Sequence, residues 1–247
     1  MKERVFVIIA AAGSGTRLKE ADSQSKKSHN ILIKVKTKVR KAGLPKQFLK
    51  LKNKPVILHS LIAFQNSRLI NSVIIAARKE YFSLIKKLSI RYKITKIADV
   101  VEGGSTRFES VKKAFARIKA NEKDVVLIHD GARPFIDSKS IERIVLAAKK
   151  FNAVIFGRKI YDTVKRGKRG YVSKTLDREN LWMIQTPQAF RYKILKSAYR
   201  RNKNRRVFTD ESALLESAGF KVKIIGGSLG NVKITRPQDL EVMKKII

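Results

Sequence analysis

The sequence predicts a single α/β domain in which helices cover both faces of a mainly parallel, twisted sheet. Three observations support this fold class. Short apolar runs rich in β-branched residues alternate with stretches of helical period, as in successive strand–helix units. The apolar runs are continuous, which is typical of parallel strands buried on both faces. The chain has 247 residues, of which 43% are hydrophobic, enough for one sizeable core in a domain that spans residues 1–247.

Five apolar runs are the predicted strands: Val5–Ala12, Ser72–Ala77, Val125–Ile128, Ala153–Phe156 and Val222–Ile225. The run Val5–Ala12 could also be read as part of a short signal peptide. The charges of Lys2, Glu3 and Arg4 precede it, and it ends in Ala10–Ala12, as at a cleavage site. We favour a buried strand followed by a glycine loop.

Six stretches with apolar residues at helical spacing are the predicted helices: Pro55–Asn66, Tyr81–Tyr92, Arg107–Ala120, Ser138–Lys150, Tyr192–Arg201 and Asp210–Ala218. Proline is well suited to the first turn of a helix, where its missing N–H is not needed. Thr209 is expected to cap the last of these helices, and Gly219 follows its end.

Two segments interrupt the alternation. Glu20–Leu44 is a basic insertion, polar except for Ile31–Lys36, which could form a short hairpin or strand. Asp162–Arg178 contains the turn-rich run Lys165–Gly170 between plausible strands and is predicted to form a projecting hairpin. This arm covers residues 160–180, approximately.

The charge predicts anionic partners without identifying them. Subtracting 20 acidic from 56 basic residues gives +36, with dense clusters at Lys19–Lys54 and Arg191–Arg206. Nucleic-acid binding and a lysine-rich genome composition both explain this charge, and we favour the second. No apolar run reaches the ~20 residues that a membrane span needs. The absence of cysteine excludes disulfides and thiolate metal sites and agrees with a cytoplasmic protein.

A glycine loop follows the first strand. It reads Ala11-Ala12-Gly13-Ser14-Gly15-Thr16-Arg17-Leu18, which matches neither common phosphate-loop motif. Its small residues allow backbone N–H groups to approach a phosphate closely, although a simple turn would use the same residues. Arg17 adds a permanently charged fork suited to phosphate oxygens. Lys46, in Pro45-Lys46-Gln47, is by itself an ordinary surface lysine.

Taken together these motifs resemble the 2-C-methyl-D-erythritol 4-phosphate cytidylyltransferase family of nucleotidyltransferases. Further motifs carry the resemblance nearly to the end of the chain: Gly103-Gly104-Ser105-Thr106-Arg107 with Ser110, His129-Asp130-Gly131-Ala132-Arg133-Pro134, Asp162-Thr163-Val164-Lys165-Arg166, Asp177-Arg178 with Trp182, Thr186-Pro187-Gln188, Thr209-Asp210-Glu211 and Asn231-Val232-Lys233-Ile234-Thr235-Arg236-Pro237. The resemblance implies a Rossmann-like fold and transfer of a cytidylyl group from CTP to a small polyol phosphate. It also implies a homodimer that exchanges arms. We expect a cytoplasmic protein with no specific nucleic-acid partner and no membrane partner.

The resemblance also implies the roles of site residues. Arg17 and Lys46 would be catalytic, and Lys233 would join them around the triphosphate. Cytosine and ribose would contact a set of small residues and one acid: Ala11, Ala12, Gly13, Gly15, Gly104, Ser110 and Asp130. The sugar phosphate would meet a second set that includes two arm residues reaching the partner's site: Arg133, Thr163, Arg178, Thr209 and Lys233.

The proposed chemistry needs cations rather than a base. The acceptor phosphate is already an anion, so the barrier is charge crowding as negative charge grows on the phosphoryl oxygens. Mg²⁺ held mainly through the CTP phosphates would share this role. Asp130 either contacts the metal or caps the turn that follows it. His129 and His59 are expected to be packing or surface residues, and His29 has no evident partner.

Three questions stay open at the level of sequence. Ser105 stands where the family pattern has aspartate, which leaves one base contact in doubt, and Ala10 replaces a common proline. The insertion either forms a lid or leaves Lys46 in register, and we favour the second. Ribitol 5-phosphate is the alternative acceptor, and a basic nucleic-acid-binding protein on this scaffold is the less favoured alternative function.

Overall fold

The computed structural model describes residues 3–13 and 44–246. Its strands are β1 (Val5–Ala11), β2 (Lys50–Leu51), β3 (Lys54–Pro55), β4 (Ser72–Ala77), β5 (Ile97–Glu102), β6 (Val125–Asp130), β7 (Ala153–Lys159), β8 (Val164–Lys168), β9 (Tyr171–Leu176), β10 (Trp182–Arg191) and β11 (Lys223–Gly226). Its helices are α1 (Val56–Asn66), α2 (Phe82–Arg91), α3 (Arg107–Phe115), α4 (Ser138–Phe151), α5 (Tyr192–Arg201), α6 (Glu211–Ser217) and α7 (Pro237–Ile246). Short 3-10 helices occur at Lys46–Phe48 and Lys79–Tyr81. None of the helices in these ranges is long and apolar enough to cross a membrane.

The central sheet is mainly parallel, as predicted. Its seven strands run in the order β11-β7-β10-β6-β1-β4-β5. Strand β1 pairs in parallel with both β4 and β6, so the carboxyl ends of these strands meet at one edge. Strand β10 is the exception, since it runs antiparallel between β6 and β7. Ligands of such sheets bind beyond the carboxyl ends of the strands, and the candidate site lies there.

Helices cover both faces of the sheet because each central strand is apolar on both sides. Val7 and Ile9 of β1 belong to the cluster packed by α1, α2 and α4, whereas Phe6 and Ile8 belong to the cluster packed by α3, α5 and α6. Val7, Ile8 and Ile9 are all 0% exposed. Residues 5–11 are therefore a buried strand of the folded domain, as the first interpretation expected.

The strand and helix predictions are largely confirmed, with three of the longer elements missed and two details wrong. Strands β5 and β10 and helix α7 were not predicted. The third predicted helix ends at Phe115 rather than at Ala120. Asp210, not Thr209, caps α6, because its Oδ1 accepts a hydrogen bond from Ala213 N at 3.0 Å. Thr209 lies one residue outside the helix and is exposed.

The predicted hairpin arm is present as strands β8 and β9, which form a two-stranded sheet separate from the central one. The turn of this hairpin is shorter than the predicted one, for which the sequence indicated Lys165–Gly170. Lys165–Lys168 belong to β8, and only Arg169 and Gly170 form the turn, with φ of 51° and 85°. Two successive positive φ values suit the tight hairpin turn that matches strand twist. The basic insertion, with its possible strand at Ile31–Lys36, lies outside the described residues except for Leu44.

Candidate active site

A cleft of about 610 Å³ opens at the carboxyl ends of β1, β4, β5 and β6. Its walls are the start of the glycine loop after β1, the 3-10 helix with Lys46, and the loop between β5 and α3. Asp130 at the end of β6 and Lys233 in the loop before α7 complete it. The cleft thus combines small residues with charged side chains from distant parts of the chain.

Gln47 connects the glycine loop to the 3-10 helix that carries Lys46. Its side chain is 3% exposed, and its Nε2 donates hydrogen bonds to Ala11 O at 2.6 Å and to Gly13 O at 3.1 Å. Phe48 packs in the core against Tyr81, with ring centroids 4.5 Å apart. Lys46 directly precedes these two anchored residues and lines the cleft. The Pro-Lys-Gln motif therefore places its lysine beside the glycine loop.

The opposite wall is the loop between β5 and α3. Gly103 faces Ala12 so closely that a Cβ at this position would collide with the Cβ of Ala12. Ser110 stabilises the loop from within α3, because its Oγ accepts from Gly104 N at 3.0 Å and donates to Thr106 O at 2.7 Å. The two walls therefore meet closely and line this part of the cleft with small residues.

Ser105, where an aspartate was expected, lies on the rim of the cleft. Its hydroxyl donates to Oε2 of Glu109 at 2.6 Å, and its backbone N donates to the same oxygen at 2.9 Å. These hydrogen bonds lower the pKa of the Glu109 carboxyl. The rim thus carries an ionised carboxylate from residue 109 instead of residue 105.

Asp130 is the electrostatic centre of the cleft. Its Oδ1 lies 2.9 Å from Arg107 Nε, and its Oδ2 lies 2.7 Å from Lys233 Nζ and 3.8 Å from Arg133 Nε. Burial alone would raise the pKa of Asp130, but the charges of Arg107 and Lys233 outweigh it and hold the pKa well below its ordinary value. Asp130 is therefore an anion, and it orients Lys233 within the cleft.

A second buried acid lies behind this centre. Arg107 Nη1 donates to Glu211 Oε2 at 2.9 Å, and Glu211 is 0% exposed. Burial raises the pKa of Glu211. The pKa of Arg107 is also raised, because the charges of Glu211 and Asp130 outweigh the effect of its own burial. Arg107 thus bridges Asp130 and Glu211. Neither Arg107 nor Glu211 was among the predicted site residues.

A chain of hydrogen bonds under the cleft holds the end of β6. Thr186 Oγ1 accepts from Asp130 N at 3.0 Å and lies 3.2 Å from His129 Nδ1, while His129 Nε2 lies 3.0 Å from Arg133 O. A neutral imidazole protonated at Nε2 satisfies all three groups. Burial lowers the pKa of His129 to about 4, so the ring is neutral at physiological pH. His129 is a packing residue, as expected, with its ring 5.3 Å from that of Phe64.

The predicted site residues fall into four groups by location. Those that line the cleft are Ala12, Gly13, Lys46, Gly104, Ser110, Asp130 and Lys233. Ala11 and Arg133 are buried behind it, and Arg133 donates to Asn231 O at 2.7 Å. Thr163 and Arg178 on the arm and Thr209 before α6 are exposed and do not line it. Arg17 and Gly15 lie outside the described residues.

Three residues that sequence reasoning missed are part of the cleft or its support. Gln47 and Arg107 stand inside motifs that were recognised, and Glu211 directly follows Asp210 in another. The available signal for Glu211 was its position at the start of a predicted helix next to the sheet edge. Its pairing with Arg107 spans 104 positions and needs the fold to be visible.

The described residues provide little protein coordination for a metal. They contain no group of three or more His, Cys, Asp or Glu side chains that could hold an ion. Asp130 is an anion with the oxygen chemistry that Mg²⁺ prefers, but both of its oxygens contact cations of the same chain. It could therefore contribute one ligand, while phosphate oxygens of a bound nucleotide would provide the others.

Comparisons with known proteins agree on one family. The family model described as "IspD: 2-C-methyl-D-erythritol 4-phosphate cytidylyltransferase" matches residues 31–247. The chain is 36% identical over 243 residues to the 2-C-methyl-D-erythritol 4-phosphate cytidylyltransferase of Halalkalibacterium halodurans, covering 98% of this chain and 96% of that one. It is also 36% identical over 252 residues to the enzyme of that name from Pelotomaculum thermopropionicum, covering 99% and 94%.

Solved structures give the same result. A crystal structure of 4-diphosphocytidyl-2C-methyl-D-erythritol synthase matches with a TM-score of 0.78 at 26% identity, covering 100% of this chain and 99% of that one. The Francisella tularensis 2-C-methyl-D-erythritol 4-phosphate cytidylyltransferase matches with a TM-score of 0.76 at 30% identity, covering 99% and 100%. The chain belongs to the family of 2-C-methyl-D-erythritol 4-phosphate cytidylyltransferases.

Proposed function

We propose that this chain joins 2-C-methyl-D-erythritol 4-phosphate to CTP and releases pyrophosphate, a step of non-mevalonate isoprenoid precursor synthesis. The observation that carries the proposal is the cleft itself. Lys46 and Lys233 approach one set of small residues from opposite ends of the sequence, next to the ionised Asp130. The family assignment favours methylerythritol phosphate over ribitol phosphate as the acceptor.

The small residues of the cleft suit the base and its cationic end suits the phosphates. Ala12, Gly13, Gly104 and Ser110 leave room for a flat ring and expose backbone groups for hydrogen bonds. Lys46 and Lys233, joined by Arg17 from the glycine loop, would surround the triphosphate. Asp130 would lie near the ribose or the metal while it orients Lys233.

In the proposed reaction an acceptor phosphate oxygen attacks the α-phosphorus of CTP and pyrophosphate leaves. The attacking oxygen is already ionised, so the protein need not remove a proton. Arg17 and Lys46 would stabilise the negative charge that grows on the α-phosphoryl oxygens and on the leaving group. Mg²⁺, held mainly by the CTP phosphates with Asp130 as a candidate ligand, would supply further positive charge at the same oxygens when bound.

The acceptor half of the site is proposed to need a second copy of the chain. Thr163 and Arg178 lie on the exposed arm, and Tyr171 and Val172 of the same arm are 81% and 67% exposed. Large exposed apolar side chains on a projecting hairpin suit a protein–protein contact. A homodimer that exchanges arms would cover them and bring Thr163 and Arg178 to a cleft beside Lys233. Arg133 and Thr209 do not line the cleft of the single chain, so their proposed place in the sugar-phosphate site requires the dimer. We also propose a cytoplasmic location, which cell fractionation would test.

An assay of pyrophosphate release tests the proposed function. The purified chain is incubated with Mg²⁺, CTP and either 2-C-methyl-D-erythritol 4-phosphate or D-ribitol 5-phosphate, with ATP and UTP as nucleotide controls. We expect turnover with CTP and the methylerythritol acceptor and little with the other combinations. Faster turnover with ribitol phosphate would identify it as the acceptor in place of methylerythritol phosphate. No turnover with either acceptor would refute the proposal.

A further inference from the structure

Arg107 and Glu211 form a buried ion pair that continues into the cleft. Glu211 is the first residue of α6 and is 0% exposed. Its Oε2 accepts from Arg107 Nη1 at 2.9 Å, and the same guanidinium donates from Nε to Asp130 Oδ1 at 2.9 Å. One guanidinium therefore connects a carboxylate buried under the helix to the carboxylate at the end of β6.

Stability alone explains this arrangement poorly. Removing charges from water is unfavourable, and apolar replacements of buried ion pairs are often neutral or stabilising. The pair is also incompletely satisfied, because Arg107 Nη2 and Glu211 Oε1 have no hydrogen-bond partner among the described residues. A planar guanidinium, however, fixes the orientation of the carboxylates it contacts better than a flexible lysine does. The geometry thus favours orientation of Asp130 as the benefit.

The orientation of Asp130 determines where Lys233 lies. Arg107 engages Oδ1, so the carboxylate cannot rotate about its axis without losing that bond. Oδ2 is left facing Lys233 Nζ at 2.7 Å. Lys233 is on a loop, between strand β11 and helix α7, and its side chain is 36% exposed. The ion pair with Asp130 therefore restricts an otherwise mobile type of side chain to one position in the cleft.

We infer that Glu211 and Arg107 are positioning residues, which hold Asp130 so that Lys233 meets the phosphates of the bound nucleotide. Neither residue needs to touch a substrate for this role. The inference depends on the proposed function, because it requires Lys233 to act on those phosphates. Glu211 orients Arg107, Arg107 orients Asp130, and Asp130 orients Lys233, each through one contact that the structure shows.

A double-mutant cycle separates positioning from a purely structural role. Steady-state kcat and KM with CTP and the acceptor are measured for the wild type, Glu211→Gln, Lys233→Met and the double variant. We expect Glu211→Gln to lower kcat/KM about tenfold in the wild type, within the range usual for residues sharing one ion-pair network. In the Lys233→Met background we expect it to lower kcat/KM about twofold or less, because no ammonium remains to be positioned. Equal losses in both backgrounds would overturn the inference.

Two further variants keep the test interpretable. Arg107→Lys retains the charge but loses the fork, and it should show the same dependence on Lys233; additive losses for this variant also count against the inference. Glu216→Gln, on the exposed side of the same helix, should match the wild type. Should Glu211→Gln fail to fold, the Arg107→Lys cycle decides. A wild type without turnover refutes the proposed function, whereas an active wild type with additive losses refutes only this inference.

Discussion

Asp130 in the cleft is 6% exposed and contacts cations of its own chain through both carboxylate oxygens, whereas Thr163 and Arg178 on the arm are exposed. Strand β6, which ends at Asp130, contributes residues to both apolar clusters of the central sheet. Within residues 3–13 and 44–246, the arm strands β8 and β9 pair only with each other. The protein thus holds one set of its predicted site residues through contacts within the chain and presents another set to solvent.

This difference indicates a division of the site. The proposed nucleotide half is the cleft, whose walls one chain positions through Gln47, Thr186 and Arg107. The proposed acceptor half includes the exposed arm residues Thr163 and Arg178, which a second copy of the chain would have to position. Mutations in the cleft should therefore act within one subunit, while mutations in the arm should act across the dimer.

Lys46→Ala is expected to have the largest effect on activity. The loss of one cation aimed at developing phosphoryl charge should raise the barrier by about 2.7–4 kcal/mol, or roughly 10²–10³ in kcat. The circular dichroism spectrum and thermal midpoint should stay near those of the wild type. Lys87→Ala, an exposed lysine on α2, is the control and should retain full activity. A near-normal kcat for Lys46→Ala would show that the lysine does not serve the reaction.

The buried network beneath the cleft should make stability depend on pH through His129. Its pKa is about 4 in the folded state, against 6.5 for an unperturbed histidine. Between these values the unfolded chain binds a proton that the folded chain does not, so stability falls as pH falls from about 6.5 to about 4. The contribution is about 3 kcal/mol.

Denaturant unfolding of the wild type and His129→Gln at several pH values measures this contribution. The wild type should lose more free energy of unfolding on acidification than the variant does. Glu211 contributes with the opposite sign, because burial raises its pKa, but it is present in both proteins and cancels in the difference. Parallel pH profiles would mean that the ring is solvated or charged in the folded state.

Arg178→Ala is expected to weaken use of the acceptor more than use of CTP. A lost hydrogen bond between charged groups is usually worth ~1.5–3 kcal/mol, so kcat/KM for the acceptor should fall about 10- to 100-fold. The KM for CTP should change little, because the cleft is formed without the arm. Lys174→Ala, on β9 of the same arm, is the matched control. Equal losses for the two substrates would contradict an acceptor role for Arg178.

Gln47→Ala tests how the glycine loop is held and should have the smallest effect. The change leaves the carbonyl groups of Ala11 and Gly13 without their donor, at a cost of ~1–3 kcal/mol. We expect a lower thermal midpoint and a kcat reduced about tenfold, because Lys46 is adjacent. Gln65→Ala removes a comparable amide from a position far from the cleft and should affect only stability. Unchanged turnover in Gln47→Ala would separate the loop from catalysis.

Much of the fold was predictable because its apolar signals are continuous. Strands β1, β4 and β6 are buried on both faces and show no polar interruption. Strand β10 was missed because it contains Pro187 at a bulge between Gln185 and Gln188, where ladder hydrogen bonds are interrupted. Strand β5 is at the sheet edge and only half-buried, so its sequence lacks the same signal.

Site residues that stand in sequence motifs could be predicted from their residue type. Residues whose role depends on contacts between distant parts of the chain were harder to predict. The cleft contains the lysines and the aspartate that motifs identified, namely Lys46, Lys233 and Asp130. The bridge from Arg107 to Glu211 escaped prediction because local sequence does not show which charges pair across the sheet edge. The sequence of one chain also does not show whether Thr163 and Arg178 reach a partner's cleft, because that depends on how two copies assemble.

Subunit complementation tests the division of the site most directly. Lys46→Ala and Arg178→Ala chains, each nearly inactive at low acceptor concentration, are mixed in equal amounts, exchanged and assayed. If the arm of one copy serves the cleft of the other, mixed dimers contain one site with both changes and one with neither. Activity should then rise to about a quarter of the wild-type value, as expected for random pairing in a two-fold dimer. If the mixture stays as inactive as its components after proven exchange, the arm does not cross to the partner and the account is wrong.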